Sequence, residues 1–340
     1  MTDPQFQLDF DTADLPPPLK PMPKAKRKPR SAAAIESAAD MTPQAMAAAL
    51  EKNPDYRVLR RLVPALHFDR VAQGPVVRVV VLDTETTGLD HASDKIIELA
   101  MLRVDVDSTS GLPVGDVQVY DALEDPGMPI SPQVQAITGI SDAMVLGQRL
   151  DEARISDLLQ GVDLVIAHNA GFDRPFCEAR LPVFAHLPWG CSFVDIDWKK
   201  EGYGSAKLEY LALEKGWFYD AHRAEMDCHA LLAVLGGQLR TEYRTGLAKM
   251  IESGRTTSYR LKATQAPFDA KDLLKARAYR WDAEQRVWFT RIADESRLNE
   301  EFQLLKSNVY GNRSACVQLE RLEAAQKYSK RPGELSVSQI

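Results

Sequence analysis

The sequence predicts an α/β fold in which a mixed sheet is flanked by helices, followed by a small α+β module. Three observations lead there. Apolar stretches at 76–82, 96–106 and 117–123 are spaced as an antiparallel meander. Beyond them, strand-length apolar runs alternate with helical ones. Past residue 250 the charge balance reverses, from 13 Lys/Arg against 26 Asp/Glu over 76–240 to 16 against 10 over 255–331. The formal net charge of −6 therefore hides an acidic core and a basic end. A chain of 340 residues is long enough for about two domains.

Taken in order, residues 1–40 are rich in Pro, Ala and charge, with Pro16-Pro17-Pro18 and the basic run from Lys24 to Arg30, and are expected to be a disordered tail. Residues 41–70 carry Met46, Leu50, Val58, Leu59 and Leu62 at helical spacing, interrupted near Asn53-Pro54, and read as a helical lead-in. The domain expected to carry the chemistry spans 75–240. Its first strand ends in Leu82-Asp83-Thr84-Glu85-Thr86. Side chains two apart on a strand share a face, so Asp83 and Glu85 point the same way. Two like charges held at the lip of a buried sheet repel, and a cation resolves the repulsion.

Further acids follow the same logic. The apolar run Val162 to Ala167 reads as a strand turning into a helix that carries Asp173 in its first turn and Pro175 at an early position. His222 precedes Asp227 by five residues. On a continuous helix such positions lie roughly 140° apart, so His222 belongs to the loop before the helix, free to swing over bound metals.

The module at 255–331, expected to be a basic accessory, begins with a strand at Ser258–Ala263, then a helix N-capped by Asp269 and running through Ala278. A hairpin follows from Tyr279–Asp282 into Arg286–Ile292. Trp281 and Trp288, with Arg280, Arg286 and Arg291, form either a stacking surface for single strands or the tryptophans of a minimal core; the core reading is favoured. The stretch Glu295 to Arg331 reads as an amphipathic helix.

Asp83, Glu85, Asp173 and Asp227, with His222 before the last acid, resemble the four acids and the histidine of the DEDDh 3′-to-5′ exonucleases. Thr86-Thr87-Gly88-Leu89, Ile137-Thr138-Gly139-Ile140 and Ala167-His168-Asn169 agree with that resemblance, which covers about residues 76–238. Within the superfamily the chain is most similar to relatives of the epsilon (proofreading) subunit of bacterial DNA polymerase III. One departure is Thr138, where many relatives carry a histidine.

The resemblance implies a ribonuclease H-like fold and two Mg²⁺ or Mn²⁺ ions about 3.5–4 Å apart. It implies that Asp83 bridges both ions, that Glu85 and Asp227 complete the site of the attacking water, and that Asp173 serves the other ion. His222 is the candidate general base, since imidazole titrates near neutrality. Thr86 and Leu89 occupy positions that hold the terminal nucleotide in similar enzymes, although Leu89 reads equally as core. Asn169 and Phe172 are further candidates for substrate contact, and His168 for a supporting role. The activity implied is removal of nucleotides from DNA 3′ ends, mostly single-stranded, in proofreading or repair. The alternatives are an exoribonuclease, or a non-catalytic module docking on the replication machinery.

At the N-terminus, Gln5, Leu8 and Phe10 fit Gln-x-x-Leu-x-Phe and resemble peptides that dock on the ring-shaped sliding clamp, with a DNA polymerase as a further possible partner. No apolar run approaches the roughly 20 residues of a membrane span. Cys177, Cys191, Cys228 and Cys316 form no CxxC pair, which together with the absence of a signal segment points to reduced thiols in the cytoplasm.

Overall fold

A computed structural model describes residues 41–340 with the exception of 284 and 294. The chain divides at Arg57 into two units. In the first, α1 (Pro43–Glu51) starts at Thr42, whose hydroxyl oxygen accepts the Ala45 amide at 3.2 Å, with Pro43 supplying a preset φ at the first position. The helical lead-in expected over 41–70 is helical only here. Its second half holds two short strands, β1 (Arg60–Arg61) and β2 (His67–Phe68). Pro54 and Pro64 lack the amide that helix propagation requires.

The meander forms as β3 (Val76–Thr86), β4 (Ile96–Asp107) and β5 (Pro113–Leu123). Three short helices follow, α2 (Pro132–Thr138), α3 (Asp142–Val145) and α4 (Glu152–Leu159). Then come β6 (Leu164–Ala167), α5 (Ala170–Arg180), β7 (Trp189–Cys191) and α6 (Ser192–Asp195). The remainder of this layer is α7 (Leu208–Glu214), β8 (Trp217–Phe218), α8 (Ala224–Gly236) and α9 (Gly246–Arg255). The strand order is β2-β5-β4-β3-β6-β7, with β3, β4 and β5 antiparallel and β6 and β7 parallel to β3. This is the mixed ribonuclease H-like sheet that was expected.

Alternation along β3 decides what each face carries. Val77, Val79 and Val81 pack with Cys228, Leu231 and Leu235 of α8, whereas Val80 and Leu82 pack with Ile155 of α4 and Phe176 and Cys177 of α5. Both faces are covered, which is why the strand reads as an unbroken apolar run. Each such fully buried side chain contributes roughly 2 kcal/mol. Pro175 lies in the second turn of α5 rather than at its start, so its missing amide omits the bond to the Gly171 carbonyl.

A second sheet follows, from β9 (Ser258–Ala263), α10 (Lys271–Ala276), β10 (Arg280–Asp282), β11 (Val287–Ile292), α11 (Glu295–Leu304), β12 (Cys316–Leu322) and β13 (Glu334–Gln339). Its order is β10-β11-β9-β12-β13, antiparallel throughout. Two expectations are corrected. The helix expected from Asp269 starts at Lys271 after a 3₁₀ turn, Phe268–Ala270, without a side-chain cap. The amphipathic helix expected over 295–331 gives way after a π-helical turn, Leu305–Val309, to β12, where buried Val317 and half-buried Leu319 flank exposed Gln318.

Trp281 and Trp288 are cross-strand partners with ring centroids 5.4 Å apart. Trp288 packs against the module's core beside Leu261 and Ile292. Strand alternation sends Arg280 and Arg291 to the opposite face. The two tryptophans therefore do not share one surface with those arginines.

Candidate active site

Asp83 and Glu85 continue the Val77–Val79–Val81 face and so emerge on the side covered by α8, which carries Asp227 in its first turn. Carboxylate oxygens of Asp83, Glu85 and Asp227 lie within 4.8 Å of one another, all three residues half-buried. Asp173 comes from the other layer. It is 2% exposed on α5, and its Oδ1 accepts the hydroxyl of Thr84, which points to that face of β3, at 2.8 Å. The sheet end is thus approached by acids from both sides.

The loop before α8 is tied to the same acids. Asp227 Oδ1 accepts the Tyr219 hydroxyl and Oδ2 accepts the backbone amide of His222, each at 2.8 Å. His222 is exposed and holds a left-handed backbone, φ 63°. Beneath it, Glu98 is fully buried directly opposite Glu85 on β4. Its carboxylate accepts the Arg223 guanidinium at 2.8 Å and the Ala224 amide at 3.0 Å, closing the N-terminus of α8. Tyr219, Glu98, Arg223 and Thr84 are not legible as site residues in the sequence, because a lone polar residue in an apolar stretch carries no spacing signal.

Burial, reinforced by Asp173, Asp227, Glu85 and Glu98, holds the Asp83 carboxyl well above the usual carboxylate range. Burial and the negative neighbours Asp227 and Glu98 push Glu85 up to about 8. Burial likewise raises Asp173 to about 7, opposed by the Thr84 hydrogen bond, and raises Asp227, opposed by the Tyr219 hydroxyl. Such a cluster either keeps protons or takes up cations. The donors are hard oxygens, and among the described residues no cysteine joins them, so the set fits Mg²⁺ or Mn²⁺ rather than a thiolate metal. All four cysteines are free.

The other expected contact residues are spread around this centre. After β3 the chain turns sharply: the Thr86 hydroxyl donates to the Gly88 carbonyl at 2.6 Å, and a Cβ on Gly88 would fall 2.5 Å from Asp94 Oδ2. The turn presents Leu89 outward, 65% exposed, so it is not a core residue. Asn169 is exposed and left-handed at the start of α5 (φ 78°). Phe172 is half-buried, its ring 5.1 Å from that of Phe176. Thr138 is buried at the end of α2, its hydroxyl donating to the Val134 carbonyl. His168 Nε2 faces the Ala206 carbonyl at 2.8 Å and Nδ1 the Ser192 hydroxyl at 2.7 Å, an arrangement that fixes one neutral tautomer. Gln5, Leu8 and Phe10 lie outside the described residues.

Residues 80–235 match a family model described as Exonuclease. The chain is 30% identical over 165 residues to DNA polymerase III subunit epsilon of Treponema pallidum, covering 46% of this chain and 74% of that one. It is 32% identical over 118 residues to DNA polymerase III PolC-type of Thermotoga petrophila, covering 34% of this chain but only 8% of the polymerase's length. Among solved structures, Exonuclease X in complex with 5′ overhanging duplex DNA is 24% identical with a TM-score of 0.34, covering 50% of this chain and 99% of that one. A structure of Exonuclease I is 18% identical with a TM-score of 0.39, covering 54% and 48%. No helix among the described residues is long and apolar enough to cross a membrane.

Proposed function

The chain belongs to the DEDD-type 3′-to-5′ exonuclease family, and from that premise we propose that it removes nucleotides from DNA 3′ ends by hydrolysis, in proofreading or repair. The observation that carries this reading is the gathering of Asp83, Glu85 and Asp227 within 4.8 Å, with Asp173 buried beside them. Two Mg²⁺ or Mn²⁺ ions held by these four acids would polarise the scissile phosphate, activate water and stabilise the departing 3′-oxyanion.

The chain's own groups supply the rest. The His222 imidazole takes the proton of the attacking water, and the hydrogen bond from its amide to Asp227 keeps it at the mouth of the cluster. Tyr219 and the His222 amide orient Asp227 by occupying one lone pair on each oxygen. Leu89, exposed beside the Thr86–Gly88 turn, offers an apolar surface to the terminal base. Thr86 contributes its backbone, since its hydroxyl is already engaged. Asn169 and Phe172 line the approach from α5. The basic balance of 255–331 attracts phosphates towards an otherwise acidic domain.

Incubating the protein with 3′-labelled DNA and RNA of one sequence, with Mg²⁺, Mn²⁺ or chelator, tests this reading. Metal-dependent release of the terminal DNA nucleotide is expected. Degradation of neither polymer overturns it, and preferential RNA trimming makes the protein an exoribonuclease. Gln5, Leu8 and Phe10 are proposed to dock on a sliding clamp, with Leu8 and Phe10 as apolar anchors. A peptide of residues 1–14 that fails to bind the clamp, or binds regardless of Leu8→Ala plus Phe10→Ala, ends that part.

A further inference from the structure

Arg174 directly follows Asp173 on α5, and it is 0% exposed. Its guanidinium donates to the carbonyls of Lys327 at 2.6 Å and Ala325 at 2.7 Å, both in the 323–333 connection between β12 and β13. The connection reaches back to α5 as well. The Ser329 hydroxyl donates to Glu178 Oε2 at 2.7 Å, and Arg331 donates to the Ala325 and Ala185 carbonyls at 2.6 Å. Glu178 accepts Arg174 Nε from the other side at 2.7 Å.

Two further anchors hold the same segment. Lys327, 4% exposed, donates to the Ser253 carbonyl in the last turn of α9 at 2.7 Å. Tyr328 is buried among Trp189, Phe184 and Cys191, with its hydroxyl on Asp195 and the Arg291 guanidinium 4.9 Å over its ring.

We propose that residues 323–331 act as a clamp that sets Asp173 in register with the other metal-ligating acids through Arg174, so that the C-terminal module completes the metal site. This rests on the nuclease reading above. The physical argument starts from burial. A guanidinium out of water must keep its acceptors, so wherever Ala325 and Lys327 sit, the first turns of α5 must follow. Asp173 is the acid for which this matters most. Asp83 and Glu85 are fixed by the strand, but Asp173 approaches from the opposite layer and lies outside the tight trio of Asp83, Glu85 and Asp227. A small displacement of α5 therefore decides whether it reaches a shared cation. Arg174 is a positioning residue in this scheme, acting only through its neighbour.

The test is a titration of the full chain with Mn²⁺, followed by calorimetry and by amide exchange of α5. Arg174→Lys keeps the charge but loses the forked contact with both carbonyls. Ser329→Ala cuts the clamp from the module's side, removing the bond to Glu178 and the two that the hydroxyl accepts from Arg331, and leaves the buried guanidinium of Arg174 in place, which keeps the test open should Arg174→Lys not fold. Each is expected to weaken Mn²⁺ binding, Arg174→Lys by about tenfold, and to speed exchange in α5. Combined with Asp173→Asn, neither should weaken binding further, because the clamp acts through that carboxylate. Unchanged Mn²⁺ affinity in folded variants, or losses that add to those of Asp173→Asn, would overturn the clamp while leaving the nuclease reading intact. Absence of Mn²⁺ binding by the unsubstituted protein overturns the nuclease reading itself.

Discussion

Arg223 grips Glu98 at two points, Nη2 and Nε to Oε1 at 2.8 and 3.0 Å, and Glu98 stands directly across the β3–β4 pair from Glu85. The pair holds the start of α8, and hence Asp227, against β4, the neighbour of the strand that carries Asp83. Arg223→Ala leaves a fully buried carboxylate with only the Ala224 amide, at a cost of roughly 3 kcal/mol. Chemical denaturation checks this, and Glu98→Gln in the same chain should recover part of the loss, since a neutral amide is cheaper to bury.

Asp83→Asn should abolish hydrolysis at saturating Mg²⁺. It should also raise the melting temperature in chelator, because it removes one charge from a mutually repelling set. A divalent cation should then stabilise the unsubstituted protein more than the variant. Hydrolysis above a tenth of the original rate, measured on labelled oligonucleotides, contradicts the assignment.

For His222 the informative substitution is Asn, which tolerates the left-handed backbone that Ala resists. His222→Asn should lower turnover by roughly 10²–10⁴-fold while leaving Mn²⁺ affinity near its original value. Unchanged turnover would mean that the histidine takes no part in proton transfer.

His168 makes a separate prediction about acid stability. Burial pushes its folded-state pKa down to about 4, whereas an unfolded imidazole titrates near 6.5. The unfolded chain therefore binds the proton first. Stability is complete above about pH 6.5 and is lost as the pH falls towards 4, by on the order of 3 kcal/mol. Urea midpoints at pH 7 and 4.5 should differ by more in the original protein than in His168→Gln.

How far the sequence could be read depends on the range of the forces involved. Asp83 and Glu85 were legible because strand alternation is local, and the helix after His222 because angular spacing is local too. The pairing of Glu98 with Arg223 spans 125 positions, and that of Arg174 with Lys327 spans 153. No periodicity announces either. Leu89 shows a different limit, since an apolar side chain after a turn looks the same whether the turn folds it in or out. Over 295–331 the turn at Gly311-Asn312, where both residues hold a positive φ, separates the helix from β12, and an expectation of one amphipathic helix passes over that signal.

The distance along the chain between Arg174 and its acceptors also has a meaning in time. During synthesis α5 leaves the ribosome with its guanidinium unprovided for, and some 150 residues must follow before Ala325 and Lys327 exist. At about 5–20 residues per second this interval is roughly eight to thirty seconds. A nascent or truncated chain would then carry the cutting acids without the segment that brings Asp173 to them. Metal loading, and with it cleavage, would be weakened until residue 331 has been made.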